Sequence, residues 1–282
     1  MNIRPIGLPP GWYPDAARIK RFLSPFGAGR AGNAPAALSP HAGWYYAGEI
    51  EARAAASLDR DAVTVAVLGG HLPAGCPALF AEEDAVETPL GTISIDAELR
   101  AALRERVPHQ SDIFPDNTVE VLLPMVKWFF PDARLLWVRL PASAASFAAG
   151  KALAECAAAL GRRTAVLGST DLTHYGAAYG FSPAGSGARA LAWARENDRA
   201  FLDAVRAEDA AAVLRLAAEK QAACSPGAVL GTLGFVQGLR EAGTGGLRVT
   251  RTEYGSSADR SEEGAPESFV GYGGAVWTKT QR

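Results

Sequence analysis

Short, nearly continuous apolar runs recur along the chain, and each of them stops abruptly at small or polar residues. Four such runs lie within residues 34–43, 62–71, 133–143 and 164–174. Strands of a parallel sheet are buried on both faces, so they show continuous Val, Leu and Ala rather than alternation. The pattern predicts four parallel strands, while the more alternating segment 247–259 predicts a strand nearer an edge.

Helical patterns separate these runs. The predicted helices cover residues 49–58, residues 151–160, two segments within 187–220 and one segment from Pro226 onward. Gly161 is a usual helix stop, and the 187–220 segment breaks near residues 207–209. Ser225 and Pro226 suit the N-cap and the first helical position. Alternating strands and helices predict an α/β fold, a three-layer sandwich around a mainly parallel central sheet.

The chain shows no internal repeat and no shift in composition that would mark a domain boundary. Residues 256–268 are polar and rich in Ser and Gly, which predicts a surface loop, and residues 269–277 predict a final strand. We therefore expect one domain over residues 1–282.

Composition excludes several classes of protein. With 48% hydrophobic and 21% charged residues, the chain can bury a substantial core. Lys plus Arg number 28 against 30 Asp plus Glu, so there is no basic footprint for nucleic acid. The N-terminus lacks signal-peptide features, and no apolar run approaches the roughly 18 residues that span a bilayer. Three widely spaced cysteines favour a reduced, cytoplasmic protein.

The positions of the histidines are more informative than their number. Of the four histidines, His41, His71 and His174 directly follow predicted strands, whereas His109 lies in a polar stretch. Ligands of open α/β sheets bind outside the carboxyl ends of the strands, on loops that the rigid sheet positions. These three histidines are therefore candidates for a functional site, although a lone histidine is more often structural.

Two further side chains carry candidate chemistry. Asp171 precedes His174 by three residues and could orient its ring, accept its proton or bind metal, or else cap a helix together with Thr170. Cys224 opens a predicted helix, where the helix dipole favours a thiolate, although a lone cysteine is often a small buried residue. Cys156 is expected to be buried in a helix, and Cys76 lies in a loop.

Seven dispersed segments carry recognisable motifs: GWYPDAARIKRFL (11–23), PHAGWYYAG (40–48), VLGGHLP (67–73), VETPLGTISID (86–96), NTVEVLLP (117–124), STDLTHYG (169–176) and ACSPGAVL (223–230). Through them the chain resembles the Memo family, whose prokaryotic members are named AmmeMemoRadiSam system protein B. These segments span nearly the whole chain in the family's order. The family is similar in fold to class III extradiol ring-cleaving dioxygenases, which use non-haem iron(II).

The resemblance implies a set of site residues. It places a metal ion on His41, His71 and Cys224, with Asp171 and His174 lining the same pocket. One departure is clear, because the family usually has a histidine where this chain has Asn117, and an amide cannot act as a titrating base.

The implied ligand set leaves the metal and the chemistry open. Two imidazoles and a thiolate suit iron(II), copper or zinc, and the thiolate makes the site softer than that of dioxygenases with a carboxylate ligand. The leading hypothesis is a metal-dependent, dioxygenase-like protein that works with radical-SAM and AMMECR-type partners, as the family name implies. The second is a non-catalytic scaffold for peptides or proteins, and the third is metal-free hydrolysis with Cys224 as nucleophile and His174 as base.

The substrate is not fixed by the sequence. The aromatic residues near the predicted strand ends could stack on an aromatic ligand or could pack in the core; they are Trp44, Tyr45, Tyr46, Tyr175 and Tyr179.

Overall fold

The computed structural model describes residues 1–27, 32–262 and 264–279. The strands are β1 (Ile3–Arg4), β2 (Ala36–Ser39), β3 (Thr64–Leu72), β4 (Ala78–Phe80), β5 (Ala85–Thr88), β6 (Gly91–Ser94), β7 (His109–Ser111), β8 (Arg134–Pro141), β9 (Thr164–Ser169), β10 (Asp171–Gly176), β11 (Leu247–Ser256) and β12 (Ser268–Lys279). The helices are α1 (Ala16–Gly27), α2 (Trp44–Ser57), α3 (Ala97–Arg104), α4 (Asn117–Glu120), α5 (Leu123–Phe129), α6 (Ala145–Ala159), α7 (Gly187–Arg206), α8 (Ala210–Lys220) and α9 (Pro226–Glu241). None of the helices in these three ranges is long and apolar enough to cross a membrane.

A nine-stranded sheet forms the centre of the fold. Its strands follow the order β10-β12-β2-β9-β3-β8-β4-β7, with β11 paired to β12. The four central strands β2, β9, β3 and β8 are parallel to one another. Antiparallel pairs lie towards the two sides, where β12 meets β2, β10 and β11 and where β4 meets β8. The four apolar runs of the sequence thus supply the parallel centre, and the mainly parallel sheet is confirmed.

Successive side chains of the central strands pack into opposite layers. In β3, Val65 and Val67 face the cluster built with α1, α2 and α5, whereas Ala66 and Leu68 face the cluster built with α6 and α9. All four side chains are buried. A strand covered on both faces gains from an apolar residue at every position, which explains the continuous runs. The α/β three-layer architecture is therefore confirmed, and the small sheet β1-β5-β6 adds to one outer layer.

Several local predictions are confirmed in detail. Helix α7 ends at Arg206, and α8 begins at Ala210 behind an Asp209 cap whose carboxylate accepts from the Ala212 amide at 2.9 Å. Strand β12 covers the predicted final strand. Strand β11 lies at an edge, since the opposite edge of β12 pairs with β10 and β2 in turn.

Two local predictions need correction. The run 164–174 forms two strands, β9 and β10, rather than one, because the chain leaves the parallel sheet after Ser169 and pairs antiparallel with β12. Ser225 occupies the N-cap position of α9, but its hydroxyl does not bond to a helix amide. The hydroxyl lies instead 3.6 Å from the Cys224 sulfur.

Glycines let α6 and α9 pack backbone against backbone on one face of the sheet. A Cβ added to Gly150 of α6 would lie 1.9 Å from the Gly231 carbonyl oxygen of α9. A Cβ on Gly234 would lie 1.9 Å from the Phe147 carbonyl oxygen. Because α9 starts two residues after Cys224, this close contact also fixes where that cysteine lies.

Gly150→Ala tests this packing. The added methyl meets a backbone carbonyl that cannot rotate away, and such overpacking costs about 1–3 kcal/mol of unfolding free energy. Alanine regains roughly 1 kcal/mol in helix propensity, so we expect a net loss of up to about 2 kcal/mol. Urea denaturation measures the difference. Gly75→Ala is the control, because a Cβ there meets nothing within 4 Å. Equal urea midpoints for the two variants would contradict the close contact.

Candidate metal centre

The carboxyl ends of three neighbouring parallel strands meet at one edge of the central sheet. His41 follows β2 by two residues, and His71 is the second-last residue of β3. Strand β9 lies between these two strands and ends at Ser169. Cys224 reaches the same place from the other direction, immediately before α9. The sheet therefore assembles side chains that are far apart in sequence.

His41, His71 and Cys224 converge closely. One ligand atom from each side chain lies within 4.8 Å of the other two. The Nε2 of His41 is 3.2 Å from the Cys224 sulfur, and the two imidazole rings meet edge to face with centroids 4.9 Å apart. The His41 side chain is 1% exposed and the His71 side chain 34% exposed. The cluster is thus closed on one side and open to solvent on the other.

His41 is held by contacts on three sides. Its Nδ1 lies 2.7 Å from the Ser169 hydroxyl, which leaves Nε2 directed at Cys224. Its backbone amide donates to the Asp171 carboxylate at 2.8 Å. Its backbone carbonyl accepts from the side-chain Nδ2 of Asn117 at 3.1 Å. Sequence reasoning missed Ser169, whose only signal is its place at the end of β9, in register with Ser39.

His71 occupies a strained backbone position. Its φ of 60° lies in the left-handed region, which residues other than glycine seldom adopt. The preceding glycines allow close approach at this strand end, since a Cβ on Gly70 would lie 2.4 Å from the Cβ of Ser225. The prediction that His71 follows its strand needs a small correction, because β3 extends to Leu72 and His71 is its second-last residue.

Asp171 links His41 to Cys224 through its side chain and its backbone. Its carboxylate accepts from the His41 amide at 2.8 Å, and its carbonyl accepts from the Cys224 amide at 3.2 Å. The neighbouring Thr170 hydroxyl accepts from the Ser225 amide at 3.1 Å. Asp171 is 4% exposed. A single buried residue therefore connects the chain after β2 with the start of α9.

Electrostatics favours a charged cysteine–histidine pair. Burial opposes ionisation of Cys224, but His41 and His71 outweigh it and lower the pKa of this thiol to about 6. Burial likewise opposes the charged form of His71, yet Asp116 and Cys224 raise its pKa to about 10. Between these values the metal-free site holds a thiolate beside an imidazolium.

Two buried carboxyl groups accompany the cluster. Burial raises the pKa of Asp171 to about 6, against the stabilising amide of His41 and the charges of His174 and His71. Burial and the nearby Asp171 raise the pKa of Glu51 well above its ordinary value. Glu51 is 0% exposed, and neither of its carboxyl oxygens has a hydrogen-bond partner among the described residues. Sequence reasoning missed Glu51, which lies among alanines on the buried face of α2.

His174 lies beside the cluster rather than within it. The residue is inside β10 and pairs with Val270 of β12, so the prediction that it follows a strand is wrong. The helix-cap interpretation of Thr170 and Asp171 is also wrong, because β10 begins at Asp171. The His174 ring meets Tyr179 edge to face at 5.0 Å, and its charge acts on Asp171. The imidazoles beside the Cys224 sulfur are those of His41 and His71, which disfavours a Cys224–His174 hydrolytic pair.

The other predicted aromatic and titratable residues divide clearly by burial. Tyr175 is buried and stacks on Phe269 with centroids 5.1 Å apart, so it is a core residue, as is the buried Trp44. The exposed aromatic residues are Tyr45, Tyr46 and Tyr179. His109 is exposed in β7, and Cys156 is buried in α6 as expected, whereas Cys76 is partly exposed.

The fold and the convergent side chains define a class, an α/β sandwich with a two-histidine, one-cysteine cluster at the strand ends. The profile of the Memo-like protein family matches residues 12–276, and the chain belongs to this family. A MEMO1 family protein of Methanothermobacter thermautotrophicus is 28% identical over 251 residues, which covers 83% of this chain and 81% of the relative.

Other relatives match over shorter stretches. A MEMO1 family protein of Pyrococcus furiosus is 30% identical over 190 residues, which covers 61% of this chain. The chain spans just under two thirds of that relative, 65% of its length. Among solved structures, the uncharacterized protein JW3007 of Escherichia coli K12 has a TM-score of 0.48 and 13% identity, covering 86% of this chain and 99% of that protein.

Reactivity of the thiol tests the charge pairing. With the pKa of Cys224 lowered to about 6, we expect alkylation of metal-free protein by iodoacetamide to be fast at neutral pH and to slow as pH falls through 6. Removing the nearest imidazole with His41→Ala should move the midpoint upward by at least one pH unit, roughly the effect of one nearby charge. Mass spectrometry of the Cys224 peptide follows the rate, with the Cys76 peptide as internal control. A wild-type midpoint near the usual thiol pKa would refute the pairing.

Glu51 should reduce stability as pH rises. Above the ordinary carboxyl pKa the unfolded chain releases the Glu51 proton while the folded state retains it, so unfolding free energy falls with increasing pH. Glu51→Gln removes this dependence, and Glu51→Met also removes an unpaired buried polar group, a gain of about 1–3 kcal/mol. Urea denaturation at pH 5 and pH 8 measures both effects. Glu196→Gln is the control, since Glu196 is an exposed carboxylate on α7. An unchanged pH dependence in Glu51→Gln would contradict the prediction.

Proposed function

We propose that the protein is a metal-binding relative of the non-haem iron dioxygenases, in which His41, His71 and Cys224 hold one metal ion. The observation that carries this proposal is the approach of the three ligand atoms to within 4.8 Å of one another. The contacts of His41 with Ser169, Asp171 and Asn117 hold this residue in place without an ion. Such preorganisation is what a metal site requires of its protein.

The donor set fits a metal that works on a ligand. Structural zinc sites use four protein ligands, whereas catalytic sites use three and keep an open position for water or substrate. Here three donors converge, and His71 and Cys224 are partly exposed. The lowered pKa of the Cys224 thiol, to about 6, supplies the thiolate that binds metals. We propose iron(II) as the metal, because the family resembles iron(II) dioxygenases in fold. The soft thiolate also suits copper or zinc.

The remaining polar residues suit proton handling. A metal ion bound here supplies Lewis acidity and, in the case of iron or copper, a redox couple. Asp171, with a pKa of about 6, gains and loses a proton near neutral pH, and His174 lies close enough for its charge to act on Asp171. Asn117 binds the His41 carbonyl but cannot carry a proton. Proton transfer to a bound ligand therefore falls to Asp171 and His174.

The protein would act together with partner proteins. We expect the chain to act as a redox or oxygenase component beside radical-SAM and AMMECR-type proteins, as the naming of its prokaryotic relatives implies. The small-molecule ligand would be one that stacks on aromatic side chains, because Tyr45, Tyr46 and Tyr179 are exposed.

One feature favours a second candidate function, a non-catalytic binding scaffold. Tyr45 is 67% exposed and Tyr46 is 47% exposed on the first turn of α2, directly after the His41 segment. Exposed tyrosines are frequent in surfaces that bind peptides and proteins. In this case the cluster would persist as a structural remnant with little affinity for metal.

Metal analysis decides between the two candidates. We expect untagged protein purified without oxygen to carry near-stoichiometric iron, copper or zinc by elemental analysis. His41→Ala and Cys224→Ser should each lose it, because removing one of three ligands leaves too few donors to retain an ion. His109→Ala and Cys76→Ser are matched controls, since both residues lie outside the cluster. Wild-type protein that stays metal-free after incubation with all three metals would support the scaffold instead.

A further inference from the structure

His71 faces a carboxylate that sequence reasoning did not assign to the site. The Nδ1 of His71 lies 3.8 Å from the Oδ2 of Asp116, whose side chain is only 10% exposed. Asp116 immediately precedes α4, in the loop that crosses the end of β3. The same ring meets the His41 ring with centroids 4.9 Å apart and contributes one nitrogen to the cluster with His41 and Cys224. One ring thus bridges a buried carboxylate and the cluster.

Asp116 is itself fixed on both carboxylate oxygens. Its Oδ2 accepts from Arg139 at 2.6 Å, and its Oδ1 accepts from the Thr118 amide at 2.9 Å and from the Thr118 hydroxyl. The same Thr118 hydroxyl accepts from the Gly70 amide at 3.1 Å. Asp116 therefore contacts His71 through the ring and, by way of Thr118, through the backbone residue before it. This double attachment accounts for how a non-glycine residue persists at a φ of 60°.

A second carboxylate on Arg139 lets the two roles be separated. Asp112, with a fully buried side chain, accepts from Arg139 through both of its oxygens at 2.9 Å and from the Trp137 indole at 2.8 Å. Asp112 thus carries the structural part of the buried ionic network, whereas Asp116 carries the contact with His71.

We infer that Asp116 is a positioning residue of the proposed metal centre: its carboxylate, 3.8 Å from the His71 Nδ1, attracts the ring proton to that nitrogen and so presents a bare Nε2 to the ion. Metal-binding histidines generally donate their second ring N–H to a carboxylate or carbonyl, which fixes the tautomer and the ring orientation. His41 receives the equivalent support from Ser169. The inference rests on the proposed function for its consequence, since the metal is what the bare nitrogen would bind.

The experiment compares Asp116→Ala with Asp112→Asn by titration with Co²⁺, whose thiolate absorption reports occupancy of the site. We expect Asp116→Ala to weaken Co²⁺ binding about 10–100-fold, while Asp112→Asn lowers the urea midpoint and leaves Co²⁺ affinity within about threefold, since it does not face His71. Equal losses of affinity in the two variants would show that Asp116 matters only for folding and would overturn the inference. Unchanged affinity in Asp116→Ala would do the same.

A second readout needs no metal and separates this inference from the proposed function. The substitution Cys224→Ser removes the neighbouring thiolate. Long-range ¹H–¹⁵N spectra of this variant, metal-free and at pH 9, reveal the tautomer of His71. We expect the proton on Nδ1 in this background and in its Asp112→Asn derivative, and on Nε2 once Asp116→Ala is added. An Nε2 proton in the Cys224→Ser parent overturns the inference, even if Asp116→Ala fails to fold. If wild-type protein binds no Co²⁺, the metal proposal fails and the tautomer alone decides the role of Asp116.

Discussion

The site depends on the parallel alignment of β2, β9 and β3, which brings their carboxyl ends to one edge of the sheet. The register of the strands pairs Ser39 with Ser169 and Leu68 with Gly168, so the three strands end at nearly the same level. A shift of one residue in a strand would turn every side chain to the opposite layer, so the two apolar clusters hold the register in place. The positions of the strand ends that carry His41 and His71 therefore follow from core packing.

The cysteine depends on a different constraint, the contact between α6 and α9. Glycines at that contact allow one helix backbone to touch the other, and α9 begins two residues after Cys224. Asp171 then joins the sheet-derived and helix-derived halves, since its side chain binds the His41 amide and its carbonyl binds the Cys224 amide. Asp171 is buried, so breaking either bond would leave an unpaired polar group at a cost in free energy. The two halves are therefore stabilised as a unit.

The sequence predicts those parts of the structure that follow from local pattern or from motifs. Apolar runs located the parallel strands, and the motif resemblance brought His41, His71 and Cys224 together in advance. Ser169, Asp116 and Glu51 could not be found in this way, because their roles arise from strand register, from a loop crossing β3 and from the burial of one helix face. His174 was placed wrongly for a similar reason, since its strand pairs with β12, which lies far along the chain.

Two buried acidic groups of the pocket, Asp171 and Cys224, differ in how far their anions are engaged by neighbouring groups. Asp171 has a carboxylate oxygen 3.9 Å from the His41 Nε2, but that carboxylate is engaged by the His41 backbone amide and is buried. Burial also raises its pKa to about 6, so it is a weaker anion at neutral pH than an ordinary aspartate. Cys224 has the opposite tendency, with a pKa lowered to about 6 by two imidazoles. In the proposed function, the Cys224 thiolate is the anionic ligand because its sulfur lies 3.2 Å from the His41 Nε2, and Asp171 is the group that exchanges protons. Metal binding and proton transfer would then be divided between two residues joined by one hydrogen bond.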